Sequence, residues 1–140
     1  AIKVRPPTAP LAVDSSSKAA SLLDNNIVFE QILQRLGKHR LAYFFALPVD
    51  PVALNLPTYF DVVKQPMDFS TIRKKIEQEA YQEPREFEAD VRLIFENCRL
   101  FNAPGTMVVK AADDIEQVFN KEWNKLFPTA KLKICLKLDQ

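Results

Sequence analysis

Two glycines, two cysteines, two methionines and one histidine are all that 140 residues provide of those types. Gly37 and Gly105 stand far apart, so no glycine-rich loop is available to cradle a phosphate. Cys98 and Cys135 have neither a CxxC nor a Cys/His spacing, which leaves a disulfide framework or a zinc site unsupported and reduced thiols in an intracellular protein as the expectation. The single His39 belongs to no cluster of metal-ligating residues, and no cofactor is expected. No apolar run reaches about 18 residues, and "AIKVRPPTAP" lacks the apolar core of a signal peptide, so membrane spanning and secretion are both unsupported. Charge of one sign is missing as well. Nineteen basic and eighteen acidic residues leave a net charge of +1, without the excess a dedicated nucleic-acid binder needs.

What is present is ordinary globular material: 47% hydrophobic and 26% charged residues, enough to bury one core. Residues 1–23 are rich in proline, serine and alanine and read as a linker-like flank joining a domain to a larger protein. From Asp24 the pattern turns helical. Asp24 or Asn25 suits a cap, and Val28, Ile32 and Leu36, widened by Phe29 and Leu33, form a stripe that should stop near Gly37. In "MDFSTIRKKIEQEA", Asp68 is the expected N-cap of a second helix, with Phe69, Ile72 and Ile76 on one face. Pro84 suits the first turn of a third, whose Phe87, Val91, Ile94, Phe95, Cys98 and Phe101 should be buried before Pro104 and Gly105 end it. A fourth starts near Thr106 and carries Val108, Ala112, Ile115, Phe119 and Trp123 toward Phe127. An all-α, up-and-down four-helix bundle over residues 24–127 is the economical architecture.

One connection is far longer than bundles use. About 27 residues, "RLAYFFALPVDPVALNLPTYFDVVKQP", separate the first two helices, where two to eight is typical. Its aromatics at 43, 44, 45, 59 and 60 need burial and its prolines at 48, 51, 57 and 66 lower its entropy, so the loop should be ordered. In an up-and-down bundle this loop and "NAPGT" lie at the same end. Their cleft is where a site is expected.

These segments resemble a family. "FFALPVDPVALNLPTYFDVVKQPMDFSTI" followed by "EFEADVRLIFENCRLFNAPGT" is similar to the bromodomains, acetyl-lysine readers, and most similar to the BET-type and related double-bromodomain proteins. The resemblance covers about residues 24–127 and implies a left-handed bundle with two facing loops. It also implies site roles: Asn102 donates its amide to the acetyl carbonyl, and Tyr59 holds that carbonyl through a water. Val49, Leu54 and Leu56 form a loop wall, Phe45 a floor, Phe101 the aromatic before the asparagine, and Val108 the residue at the mouth. The family often has Trp-Pro-Phe at a shelf where this chain has Tyr43, Phe44 and Phe45, so shelf width and flanking selectivity do not transfer.

The residue types suit that chemistry. Acetylation removes the lysine charge and leaves an amide on an aliphatic stem, which an apolar slot with one polar partner accepts. An ammonium would be desolvated there at several kcal/mol, and no carboxylate is expected in the slot. A small Val108 should leave the mouth open.

Plainer readings stand beside these. An asparagine before Ala-Pro-Gly is commonly a helix terminator, and aromatics are commonly core. Cys98 in an apolar stripe reads as a small hydrophobe rather than a nucleophile, His39 as a solvated helix end, and "RKK" at 73–75 as a solvated face, with weak nucleic-acid contact as the minority view. In 128–140, Leu132, Ile134, Leu136 and Leu138 alternate as in a strand; they either pair with "AIKV" or form an apolar strip for the bundle or a partner.

The sequence thus favours a non-catalytic, nuclear reader of acetylated histone tails or other nuclear proteins that recruits a chromatin or transcription complex. The alternative is a helical interaction scaffold with weak or absent acetyl-lysine binding. With His39 and Cys98 in different elements, an enzyme is not expected.

Overall fold

A computed structural model describes residues 24–127, so the expectations for the flank 1–23 and the extension 128–140, with Cys135, lie outside the described residues. Helix α1 spans 24–37 and ends at Gly37. The long connection contains a 3-10 turn, Ala42–Phe45, and a one-turn helix α2, Tyr59–Val62, too short to mark the expected loop with a helical period. Helices α3 (Phe69–Glu77), α4 (Pro84–Phe101) and α5 (Met107–Leu126) follow. The described residues are all helix and loop, with four long helices and one short one. None of these helices is long and apolar enough to cross a membrane.

Local chemistry sets the helix ends. The Asp68 carboxylate accepts from the Thr71 amide at 3.0 Å, as an N-cap should. Pro84 occupies the first turn of α4, and Glu86 turns back to accept from the amides of Gln82 (2.6 Å) and Glu83 (3.1 Å). Those two amides hold the Glu86 carboxyl below its ordinary range. Thr106 has the N-cap position of α5 but not the expected bond: its hydroxyl donates back to the Ala103 carbonyl at 2.8 Å.

The expected stripes meet in one core. Phe29, Ile32, Leu33 and Leu36 of α1 pack with Phe87, Val91, Ile94 and Phe95 of α4 and Ala112, Ile115, Phe119 and Trp123 of α5. Phe29 stacks on Phe87 with centroids 4.2 Å apart and planes within 7°, and Phe87 in turn stacks on Trp123 at 6.1 Å. Val28 and Val108, expected on the stripes, are only half-buried at its edge.

Polar pairs lock α4 to its neighbours. Arg92 donates to Glu116 (2.8 Å) and Asn120 (2.9 Å) of α5 and to Glu88 of its own helix (3.0 Å), while its guanidinium lies 5.1 Å from the Phe119 ring centre. Asp90 accepts from Lys75 (2.7 Å) and Tyr81 (2.6 Å). Burial, then the Asp90 carboxylate, push the Tyr81 phenol well above its ordinary value. These ties hold α4 against α3 and α5.

Candidate functional site

The wall of the site is a short stretch of loop that folds on itself. Asp50 Oδ1 accepts from the amides of Val52 (3.0 Å) and Ala53 (3.1 Å), closing a turn, and the Leu56 amide reaches back to the Pro51 carbonyl at 2.7 Å. Between Leu54 and Leu56, Asn55 takes a left-handed φ of 56°, a conformation asparagine tolerates better than a bulky side chain. That reversal lets both leucines line the same cavity.

Opposite this wall stands the end of α4. Asn102 is its C-cap, with extended backbone, and its own amide N–H donates to the Cys98 carbonyl at 3.0 Å. The Asn102 side chain donates through Nδ2 to that same carbonyl at 3.0 Å. The turn beyond it, Ala103 to Thr106, has proline second and glycine third; Gly105 has φ +86°, and the Thr106 amide meets the Ala103 carbonyl at 3.3 Å. Both hydrogen bonds and the turn restrict where the Asn102 amide can point. Nδ2 also reaches the Cys98 sulfur at 3.9 Å, a weak acceptor, and Oδ1 has no partner among the described residues.

A cavity of about 360 Å³ lies between wall and helix end. Every residue expected at the site lines it: Asn102, Tyr59, Val49, Leu54, Leu56, Phe45, Phe101 and Val108. Phe44 of the shelf does so too, but Tyr43 does not. Its ring lies 4.6 Å from that of Phe44, yet the side chain is 66% exposed and faces a second cavity on the other side of the 3-10 turn. The 3-10 turn presents its second shelf residue and the next, Phe44 and Phe45, to the pocket and the first, Tyr43, to its other side.

A second correction concerns charge. A carboxylate does line the cavity: Asp68, at 3% exposure. Its oxygens are already occupied, by the Thr71 amide, by the Thr71 hydroxyl at 2.5 Å and by the Ser70 hydroxyl. It caps α3 from a loop that also walls the pocket, and a helix cap carries no sequence mark of facing a cavity.

Leu47, Met67, Ile94 and Cys98 also line the space and were not singled out as site residues. Ile94 and Cys98 sit on the predicted α4 stripe, two turns and one turn before Asn102, and that spacing is the available signal. The Cys98 thiol donates to the Val108 carbonyl at 3.4 Å and burial pushes its pKa up to about 11. Tyr59 is buried edge-to-face against Phe101 at 4.9 Å; burial first, and the thiol second, raise its phenol, so it stays a neutral donor.

Asn97 is no part of the cavity lining, yet it shapes the site. Buried on α4, it donates from Nδ2 to the Gln65 carbonyl at 2.8 Å and so ties the long loop to the helix bearing Asn102. Among the described residues no group of three or more His, Cys, Asp or Glu is placed to hold a metal ion. The arrangement accepts an apolar stem ending in a small neutral polar group.

Comparison with known proteins gives the same family. The Bromodomain family model matches residues 29–114. Bromodomain-containing factor 1 of Saccharomyces cerevisiae is 54% identical over 81 residues, 58% of this chain and 12% of that protein. Transcription factor GTE10 of Arabidopsis thaliana is 40% identical over 116 residues, 83% of this chain and 11% of that protein. The SWR1 complex bromodomain subunit bdf1 of Schizosaccharomyces pombe is 44% identical over 95 residues, 66% of this chain and 16% of that protein. The chain thus spans a small part of the length of these relatives.

Proposed function

The chain belongs to the bromodomain family, and from that membership we propose that its cavity reads acetyl-lysine on histone tails or other nuclear proteins. One observation carries the reading: the Asn102 amide, one of whose hydrogens meets nothing stronger than the Cys98 sulfur at 3.9 Å, stands at the edge of a mostly apolar cavity of about 360 Å³. An acetylated lysine presents a carbonyl to that hydrogen and an aliphatic stem to Val49, Leu54, Leu56 and Val108. Tyr59, neutral and buried, supplies a second donor, through a water, and Phe45 with Phe101 completes the packing. A lysine ammonium would surrender its hydration to a space whose one carboxylate already serves three donors, at a cost of several kcal/mol.

The proposed role is binding rather than catalysis. A thiol held at about 11 is protonated at neutral pH and a poor nucleophile, and His39 accepts from the Leu41 amide at 3.1 Å outside the cavity. Among the relatives, GTE10 is a transcription factor and bdf1 a subunit of the SWR1 complex. By analogy, the protein containing this chain would work in the nucleus and recruit such a complex, with no membrane and at most weak contact with nucleic acid.

The second reading, a helical scaffold with weak or absent acetyl-lysine binding, draws on Tyr43, which leaves one shelf position facing away from the cavity. Titrating an acetylated and an unacetylated histone peptide into wild type and Asn102→Phe separates the two. The reader requires preference for the acetylated peptide and loss of about one to two orders of magnitude in affinity in the variant. Equal binding of both peptides, or an indifferent variant, would defeat it.

A further inference from the structure

Behind the 3-10 turn lies a second cavity, of about 340 Å³, lined by His39, Arg40, Tyr43, Phe69 and Arg73 together with small residues. Its lining contains two arginines and no carboxylate, in a chain whose overall charge is close to zero. Arg40 pairs with no acid among the described residues. Arg73 has one loose partner, Glu30 at 3.5 Å, and its side chain stays 44% exposed. His39 Nε2 lies 3.9 Å from Asp114. Two arginines from different elements thus line one hollow beside a tyrosine, and a guanidinium presents paired N–H donors to an oxyanion.

Its position says which anion. The two cavities share one wall: Tyr43 faces the basic one, while Phe44 and Phe45 face the apolar one, and the Tyr43 and Phe44 rings are 4.6 Å apart. An extended peptide advances about 3.3 Å per residue, so a few residues carry it from one cavity to the other. A duplex would instead need several phosphate contacts along an exposed basic face, and a net charge of +1 with a concave pair of arginines offers little of that.

We infer that this second cavity seats an anionic side chain, a phosphorylated or a carboxylate residue, lying within about four residues of the acetyl-lysine on the same segment. The inference rests on the acetyl-lysine reading of the first cavity. It gives the site a composite specificity, in which removal of one charge and the presence of another are read together, and Tyr43 turns away from the shelf because it belongs to the neighbouring subsite.

The test is a set of acetylated peptides with phosphoserine, glutamate or a neutral serine at each position from −4 to +4, titrated at low salt. Wild type should bind one anionic register about three- to tenfold more tightly than its neutral counterpart, the phosphoserine and glutamate arms telling the two sources apart. Arg40→Gln/Arg73→Gln should abolish that gain while leaving affinity for the neutral acetylated peptide unchanged. No anionic gain in any register, or a gain that survives the double substitution, would overturn the inference while acetyl-dependence stands. Duplex DNA binding that disappears in the double variant, with no peptide gain in wild type, would overturn it in favour of nucleic acid. Loss of acetyl-dependence itself would register separately, in the Asn102→Phe control.

Discussion

The Asn97 side chain donates to the Gln65 carbonyl at 2.8 Å, across 32 positions of sequence, and adds a polar tie between the long loop and the helix that ends in Asn102 to the packing of Tyr59 on Phe101. Both walls of the cavity are therefore tied to α4. Asn97→Ala leaves a loop carbonyl without its partner and should cost about 1–3 kcal/mol of stability in urea unfolding. It should also lower acetyl-peptide affinity more than Cys98→Ala does, because only the former frees the loop. An Asn97→Ala protein with unchanged affinity would show that the loop is held without it.

The buried thiol makes stability fall at alkaline pH. Cys98 keeps its proton to about 11 in the folded chain against an ordinary 9.0, so between those values the unfolded chain has lost a proton the native one retains. The contribution is fully present below about pH 9 and is lost as pH rises through about 11. Tyr59 and Tyr81, both raised, add loss in the same direction at higher pH. Denaturant midpoints followed from pH 7 to 11 should decline less steeply for Cys98→Ala than for wild type; parallel slopes would contradict this account.

Asp68 joins a helix cap to a cavity wall. Asp68→Ala removes the acceptor for the Thr71 amide and should destabilise the fold by about 1–2 kcal/mol, while Asp68→Asn, which can still cap, should cost less. Thermal unfolding of the pair distinguishes loss of the cap from loss of the charge. Equal losses would mean that the charge is what matters.

At the far end of the bundle, Phe87 is fully buried between Phe29 and Trp123. Phe87→Ala should cost about 3–5 kcal/mol, the range for emptying an aromatic site in a packed core. Phe87→Leu should recover part of that. Since the cavity is built from other residues, peptide affinity in whatever fraction remains folded should be nearly unchanged, which calorimetry below the unfolding transition can read.

Much of this molecule is written locally. Asp68, Pro84 and Gly37 mark helix ends because capping, a missing N–H and chain freedom act within a few residues, and the three- and four-residue spacing of Phe87, Val91, Ile94, Phe95 and Cys98 fixes which side of α4 is buried. The facing of the two loops follows from helix direction alone. Even the cavity lining was legible to the extent that "LNLP" and "FNAPGT" were legible as a pair.

Periodicity and capping are short-range, and they suffice for the four long helices, their buried faces and the end of the bundle at which a site would form. The partner of Asn97, the carboxylate of Asp68 inside the cavity and the turning of Tyr43 into a separate basic hollow were decided only by tertiary structure. Each depends on the distance and direction between groups on different elements, and those are set by how the loop packs on the helices.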